Sequence, residues 1–369
     1  MTAQPSEPGR AYVAVDGGNS KTEVLVGDTT GALLGYARGP GSNHQTAGGL
    51  TPAIGHIDTL IREALASRSE REAATAGRAA TASGSVREAA TARRAATGPA
   101  GEAAGAVPAP VLAQLCLAGA DLPVEIAALD EAVAAAGWAE KSIVENDTIA
   151  LLRAGTDALN AVAVVCGAGI NCLGRAADGR TVRFPSLGRV SGDWGGGREL
   201  GEAALWHAVR AEDGRGPATA LSEAVAGHFG CQAVAEVSAA VHLRQIRPRR
   251  LEELTPLLFR VAADGDVVAE SVVARLTEEV LALITAATRR LNLADEPVAV
   301  VLGGGVLRSQ PVVTDAIAER LADLAPRAEV AVVTDPPVVG AALLALDTLG
   351  ADAAAHLALR ANCSAMLGS

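Results

Sequence analysis

At 369 residues and 49% apolar content the chain is long enough to fill two cores of ordinary size, so two domains are expected. A formal charge of −11 argues against general affinity for nucleic acid or an anionic membrane, both of which need a basic face, and leaves a small molecule as the expected partner. The five cysteines, at positions 116, 166, 172, 231 and 363, lack CxxC spacing, which argues against a disulfide frame or a zinc knuckle and reads as buried thiols.

No apolar run reaches the roughly 20 residues needed to cross a bilayer, and "MTAQPSEPGR" lacks the apolar region of a signal peptide, so a cytoplasmic protein is expected. Residues 11 to 15, 23 to 28 and 32 to 38 read as three successive strands, and "LTPAIGHIDTLIREALAS" carries apolar residues at helical spacing. From about 67 to 110 the chain turns into recurrent "REAATA" and "RAAT" units with almost no large apolar side chain. This Ala-rich stretch reads as a partly helical or disordered insert outside the core. A strand then runs through "VLAQLCLAGAD" to Asp121, a helix opens at Pro123, and the strand "KSIVEND" feeds the helix "TIALLRAG".

At Asn160 the opening pattern returns. "NAVAVVCGAGINCLGRAADGRTVRF" is again strand, Gly-rich turn, strand, Gly turn, strand, and it mirrors "AYVAVDGGNSKTEVLVGDTTGALLGYA". We read this as a duplication, giving an N-terminal domain over 1–145 and a C-terminal domain over 146–369 whose last helix can return to the first. Largely helical sequence fills 197 to 292. The strand "PVAVVLGG", a helix from near Val306, the strand "AEVAVVTD" and a final helix "VVGAALLALDTLG" follow.

Three glycine clusters each follow an apolar strand: "DGGNSKT" at 16–22, "CGAGINC" at 166–172 and "LGGGVLRS" at 302–309. Glycine lets backbone N–H groups approach and cradle phosphate oxygens, although a single such turn is weak evidence. No GxxxxGK[ST] is present, so the site is not of the Walker type. Three clusters over two duplicated halves suit a nucleotide in a cleft between domains, with Asp16 placed to hold a hydrated Mg²⁺ beside the first. Lys21 is one of only two lysines in the chain; it reads either as a point charge for phosphate or as a solvated hairpin residue.

In their order and spacing, "DGGNSKT", "GAGINC", "SGDWGG" and "LGGGV" resemble the phosphate-1, phosphate-2, sugar-side and adenosine motifs of the BadF/BadG/BcrA/BcrD ATPase family, in its amino-sugar kinase branch. The resemblance implies an α/β fold of two duplicated RNase H-like domains of the actin-like ATPase and hexokinase type, hinged around ATP and Mg²⁺ in an interdomain cleft, in a homodimer. It assigns ATP to Gly17, Gly18, Asn19, Ser20, Lys21, Thr22, Gly167, Ala168, Gly169, Gly303, Gly304 and Gly305, and Mg²⁺ to Asp16 through water.

A sugar kinase needs a carboxylate within reach of the attacking hydroxyl. Asp121 falls where these kinases carry their base, here in "AGAD", although it could instead cap the helix at Pro123. Asn43 and His44 in "PGSNH", Asp147 and Thr148 in "ENDT", and Asp193 in "SGDWG" are the remaining sugar-binding candidates, with helix capping and a turn as the plain readings of Asp147 and Asp193. Where relatives carry glutamate after that last aspartate this chain has Trp194, which either stacks on a pyranose or fills a seam.

The expected reaction is transfer of the γ-phosphoryl of ATP to the 6-hydroxyl of an amino sugar. Counting Asp121, Glu145, Asp147 and Asp193 around the pocket favours the cation of free glucosamine over N-acetylglucosamine. A second class is the family's ATP-driven activator of 2-hydroxyacyl-CoA dehydratases, which needs paired cysteines to hold an iron–sulfur cluster. A sensing regulator is the third; ten residues before the first strand are too few for a helix-turn-helix.

Overall fold

The computed structural model describes residues 9–82 and 109–367. Two apolar segments on either side of a short glycine turn pair antiparallel as β1 (Ala11–Gly17) and β2 (Lys21–Asp28), which sets Asp16 opposite Glu23 and Gly17 opposite Thr22. The third strand, β3 (Leu33–Pro40), adds to β2, and α1 (Leu50–Ala82) follows. The expected insert therefore begins as a continuation of α1; the rest of it, residues 83–108, lies outside the described residues.

Next come β4 (Leu112–Leu117), α2 (Pro123–Ala136), β5 (Lys141–Asn146) and α3 (Asp147–Gly155). Both new strands run parallel, β4 beside β1 and β5 beside β4, giving the order β3-β2-β1-β4-β5. The alternation of side chains along a strand divides the core into two layers. Val13, Val15, Val24 and Val26 pack with Ile57 and Leu60 of α1 and Leu129 and Val133 of α2. Tyr12, Ala14 and Leu25 belong to the opposite layer.

The second half repeats the plan. Hairpin β6 (Ala161–Cys166) and β7 (Ile170–Arg175) is extended antiparallel by β8 (Thr181–Arg183). A helical stretch follows: α4 (Gly196–Glu212), α5 (Leu221–His228), α6 (Val234–His242), α7 (Thr255–Ala263) and α8 (Val267–Leu291). Then come β9 (Val298–Gly303), α9 (Gly305–Ser309), α10 (Pro311–Leu324) and β10 (Ala328–Val332). With β9 parallel to β6 and β10 parallel to β9, the order is β10-β9-β6-β7-β8, the same connectivity as the first sheet. The duplication read from the sequence is thus a duplication of topology.

Two helices close the described chain, α11 (Pro337–Leu349) and α12 (Ala353–Leu367). The sequence reading ended at the first of them and missed α12, whose Leu359 and Cys363 are buried with the α11 residues Leu343 and Leu346 in the layer holding Tyr12. The chain divides into one unit of residues 1–154 and 335–369 and another of residues 155–334. The division falls at the last residue of α3, between Ala154 and Gly155, where the sequence reading set it at 145/146; Ala150 of α3 is buried in the same layer as α11. Among the described residues no helix is long and apolar enough to cross a membrane.

Candidate active site

In the first unit the turn between β1 and β2 closes where the Gly18 N–H donates to the Lys21 carbonyl at 2.9 Å. Lys21 Nζ is paired with Glu23, whose other carboxylate oxygen accepts from Tyr36 Oη at 2.7 Å, so this lysine is held by a buried carboxylate and not loosely solvated. Asp16 is buried one residue before the turn. Burial, reinforced by Asp147 and Glu23 and opposed by Lys21, pushes its pKa up to about 8. Such a carboxylate gains from a cation; among the described residues no group of three or more His, Cys, Asp or Glu makes a metal cage. That donor set fits Mg²⁺, which typically takes one or two protein carboxylates and completes its shell with water and phosphate oxygens.

The segment after β3 locks onto this turn. Thr22 Oγ1 donates to Ser42 Oγ at 2.8 Å, the Ser42 N–H donates to the Gly18 carbonyl at 3.2 Å, and Asn43 Nδ2 donates to Asn19 Oδ1 at 2.7 Å. Asn43 is buried, and its Oδ1 accepts from the Gln45 N–H at 2.9 Å. His44 sits beside it with Nε2 3.8 Å from Glu125 Oε1 and a buried Nδ1 without a partner.

Asp121 lies four residues beyond the end of β4, after the turn at Gly119, so the strand stops earlier than the sequence suggested. Leu122 is the residue that precedes α2, and the carboxylate of Glu125 covers the start of this helix by accepting from the N–H groups of Asp121 and Leu122 at 3.2 and 2.9 Å. Capping thus falls to Glu125. The Asp121 carboxylate instead accepts from Asn146 Nδ2 at 2.8 Å. Asn146 ends β5, is fully buried, and was missed in the sequence reading, which took its neighbours Asp147 and Thr148. Its Oδ1 accepts from the N–H and hydroxyl of Thr148 at 3.1 and 2.5 Å. Glu145 accepts from Gln114 Nε2 at 2.8 Å.

Asp16, Gly17 to Thr22, Asn43, His44, Asp121, Asp147 and Thr148 therefore all belong to the first unit.

The second unit carries the other candidates. The β6–β7 turn is closed by the Gly167 N–H donating to the Gly169 carbonyl at 2.9 Å, and α4 packs onto it: Gly197 N–H donates to the Gly167 carbonyl at 2.7 Å and Arg198 N–H to the Ala168 carbonyl at 3.1 Å. Gly196, at φ +83°, permits that approach; a Cβ there would lie 2.5 Å from Gly169 Cα. Gly303 ends β9, and Gly304, at φ +88°, leaves no room for a Cβ against the backbone of Cys166. Asp193 accepts from Ser191 Oγ. Trp194 is buried in the core of this unit with the Arg275 guanidinium 4.1 Å over its ring, so it fills the core instead of offering a face to a sugar.

Residues 13–345 match the family described as BadF/BadG/BcrA/BcrD ATPase, a span from within β1 to within α11. The chain belongs to that family. A relative by sequence, the N-acetyl-D-glucosamine kinase of Dictyostelium discoideum, is 23% identical over 353 residues, which cover 91% of this chain and 98% of that protein. The N-acetylmuramic acid/N-acetylglucosamine kinase of Clostridium acetobutylicum is 24% identical over 192 residues, 52% of this chain and 63% of that protein. A solved structure from Chromobacterium violaceum, provisionally described as an N-acetylglucosamine kinase, is 20% identical, with a TM-score of 0.59 over 91% of this chain and 98% of that one. That likeness speaks for the fold, two α/β halves with the same strand order.

Proposed function

We propose that this ATPase-family chain is an ATP-dependent kinase that transfers the γ-phosphoryl group to the 6-hydroxyl of an amino sugar, with N-acetylglucosamine as its substrate. The observation that carries the reading is Asp121, a carboxylate four residues past a parallel strand that accepts from a buried amide. In this reading Asp121 takes the proton of the 6-hydroxyl as its oxygen bonds to the γ-phosphorus, the bond from that phosphorus to the β,γ-bridging oxygen breaks, and ADP leaves. The residues proposed for the nucleotide are 17–22 in the first unit and 167–169 and 303–305 in the second; those proposed for the sugar are Asn43, His44, Asp147 and Thr148 in the first unit and Asp193 in the second. Asp16 would hold Mg²⁺, which when bound neutralises charge on the phosphates. The proposal keeps the cytoplasmic location and the homodimer expected from the sequence.

Free glucosamine was favoured by a count of carboxylates. Of the four counted, Asp121 accepts from Asn146, Glu145 from Gln114 and Asp193 from Ser191, all protein side chains. That weakens the case for a site tuned to an ammonium, and the named activities of the two sequence relatives both include N-acetylglucosamine. The activator reading is disfavoured because Cys116, Cys166, Cys172 and Cys363 are buried, with burial pushing each thiol up and away from the thiolate a cluster needs.

ADP release coupled to mass analysis of the sugar, over N-acetylglucosamine, glucosamine, glucose and N-acetylmannosamine, tests the proposal. The highest kcat/KM is expected for N-acetylglucosamine. ATP hydrolysis without phosphate transfer to any hexosamine would overturn the kinase reading, and a higher value for glucosamine would overturn the acyl preference.

A further inference from the structure

We infer that Asn146 is a positioning residue that holds the Asp121 carboxylate for proton transfer, in addition to starting α3. The inference rests on the kinase reading above for what Asp121 does, and on geometry alone for how it is held.

The orientation of the Asn146 amide is fixed by its neighbours. The backbone N–H of Thr148 can only donate, so the amide atom 3.1 Å from it is the oxygen, and the atom 2.8 Å from Asp121 Oδ1 is the nitrogen. One side chain thus performs two separable tasks. Its oxygen covers an amide at the start of α3, a task that Asp or Ser performs equally well. Its nitrogen donates to Asp121, which an ionised Asp cannot do and which a Ser side chain, with a shorter reach and a single hydroxyl for both partners, does less well. Asn146 is fully buried, so its side chain is fixed by packing, and the carboxylate it grips is fixed in turn. It acts from the end of β5 on the segment that follows β4, between residues 25 positions apart in sequence. The other titratable groups placed around this corner are Glu125 on α2, which accepts the Asp121 N–H, His44 after β3, and Asp147 on α3.

The test uses Asn146→Asp and Asn146→Ser, both of which keep an acceptor for Thr148. In Asn146→Asp a carboxylate faces Asp121 where a donor stood, and two carboxylates at that distance share a proton. Asp121 then ionises only at higher pH. With N-acetylglucosamine and ATP, kcat should fall about tenfold or more, short of the 10²- to 10⁴-fold typical of losing a general base, with KM for both substrates nearly unchanged. The acid limb of the kcat profile should move to higher pH. Asn146→Ser should show the kcat loss while keeping the melting temperature within a few degrees.

A second readout does not depend on activity. The ¹³C carboxyl resonance of Asp121, assigned by its loss in Asp121→Asn, should titrate at higher pH in Asn146→Asp than in the parental protein. Parental kcat, pH profile and Asp121 titration in the folded Asp variant would overturn the inference. If the parental protein phosphorylates no sugar, the kinase reading fails, and the Asp121 titration still decides whether Asn146 holds this carboxylate. If Asn146→Asp does not fold, an unchanged kcat in Asn146→Ser overturns it.

Discussion

Asp16 at the end of β1 is buried, and Asp147 in the first turn of α3 adds a like charge that helps push its pKa up to about 8. A carboxylate whose folded pKa lies above its unfolded value of 3.8 binds a proton in the folded chain that the unfolded chain has released, so between these two pH values folding stability falls as pH rises. Asp16→Asn removes that titration. In EDTA and without nucleotide, the melting temperature of the variant relative to the parental protein should rise from pH 5 to pH 8. A constant difference across that range would contradict the buried-carboxylate assignment.

The two glycine hairpins, β1–β2 and β6–β7, differ in what a side chain would meet. A Cβ on Gly17 would lie 2.5 Å from Leu117 Cδ2 and 2.7 Å from Ser42 Oγ, so Gly17→Val should lower the melting temperature whatever its effect on ligand. A Cβ on Gly167 meets nothing within 4 Å. Gly167→Val should therefore fold normally and weaken ATP while leaving sugar affinity unchanged, as read by calorimetry; unchanged ATP affinity in this variant would remove the β6–β7 turn from the nucleotide site.

Trp194 distinguishes a packing role from a sugar-binding one. Buried under Arg275, it should behave as a core residue, and Trp194→Ala should destabilise by about 3–5 kcal/mol in denaturant unfolding. A variant of parental stability with a raised KM for sugar would instead place the ring at the substrate.

The paired hairpins were legible because each strand is a continuous apolar run ended by glycines, a signal that is local in sequence. Helix α12 was not: "AAAHLALRANCSAML" is weakly patterned, and its burial depends on α11 and on the layer around Tyr12. Asn146 escaped for a similar reason. An asparagine before "DT" reads as a helix start, which it is, and its second partner becomes visible only once β4 and β5 are set side by side. The carboxylate count that favoured glucosamine failed to anticipate that these groups have partners of their own. Trp194 could not be assigned because a single tryptophan in a Gly-rich turn gives no sign of which face it buries.

The central claim is that Asp121 is the base of an N-acetylglucosamine kinase, and steady-state phosphorylation of that sugar by Asp121→Asn measures it most directly. The substitution keeps size and the chance to bond Asn146 through its own carbonyl, and it removes the proton acceptor. The account predicts a kcat lower by about 10²- to 10⁴-fold with ATP affinity and melting temperature retained. Turnover of N-acetylglucosamine at near the parental rate by a folded Asp121→Asn enzyme would contradict it.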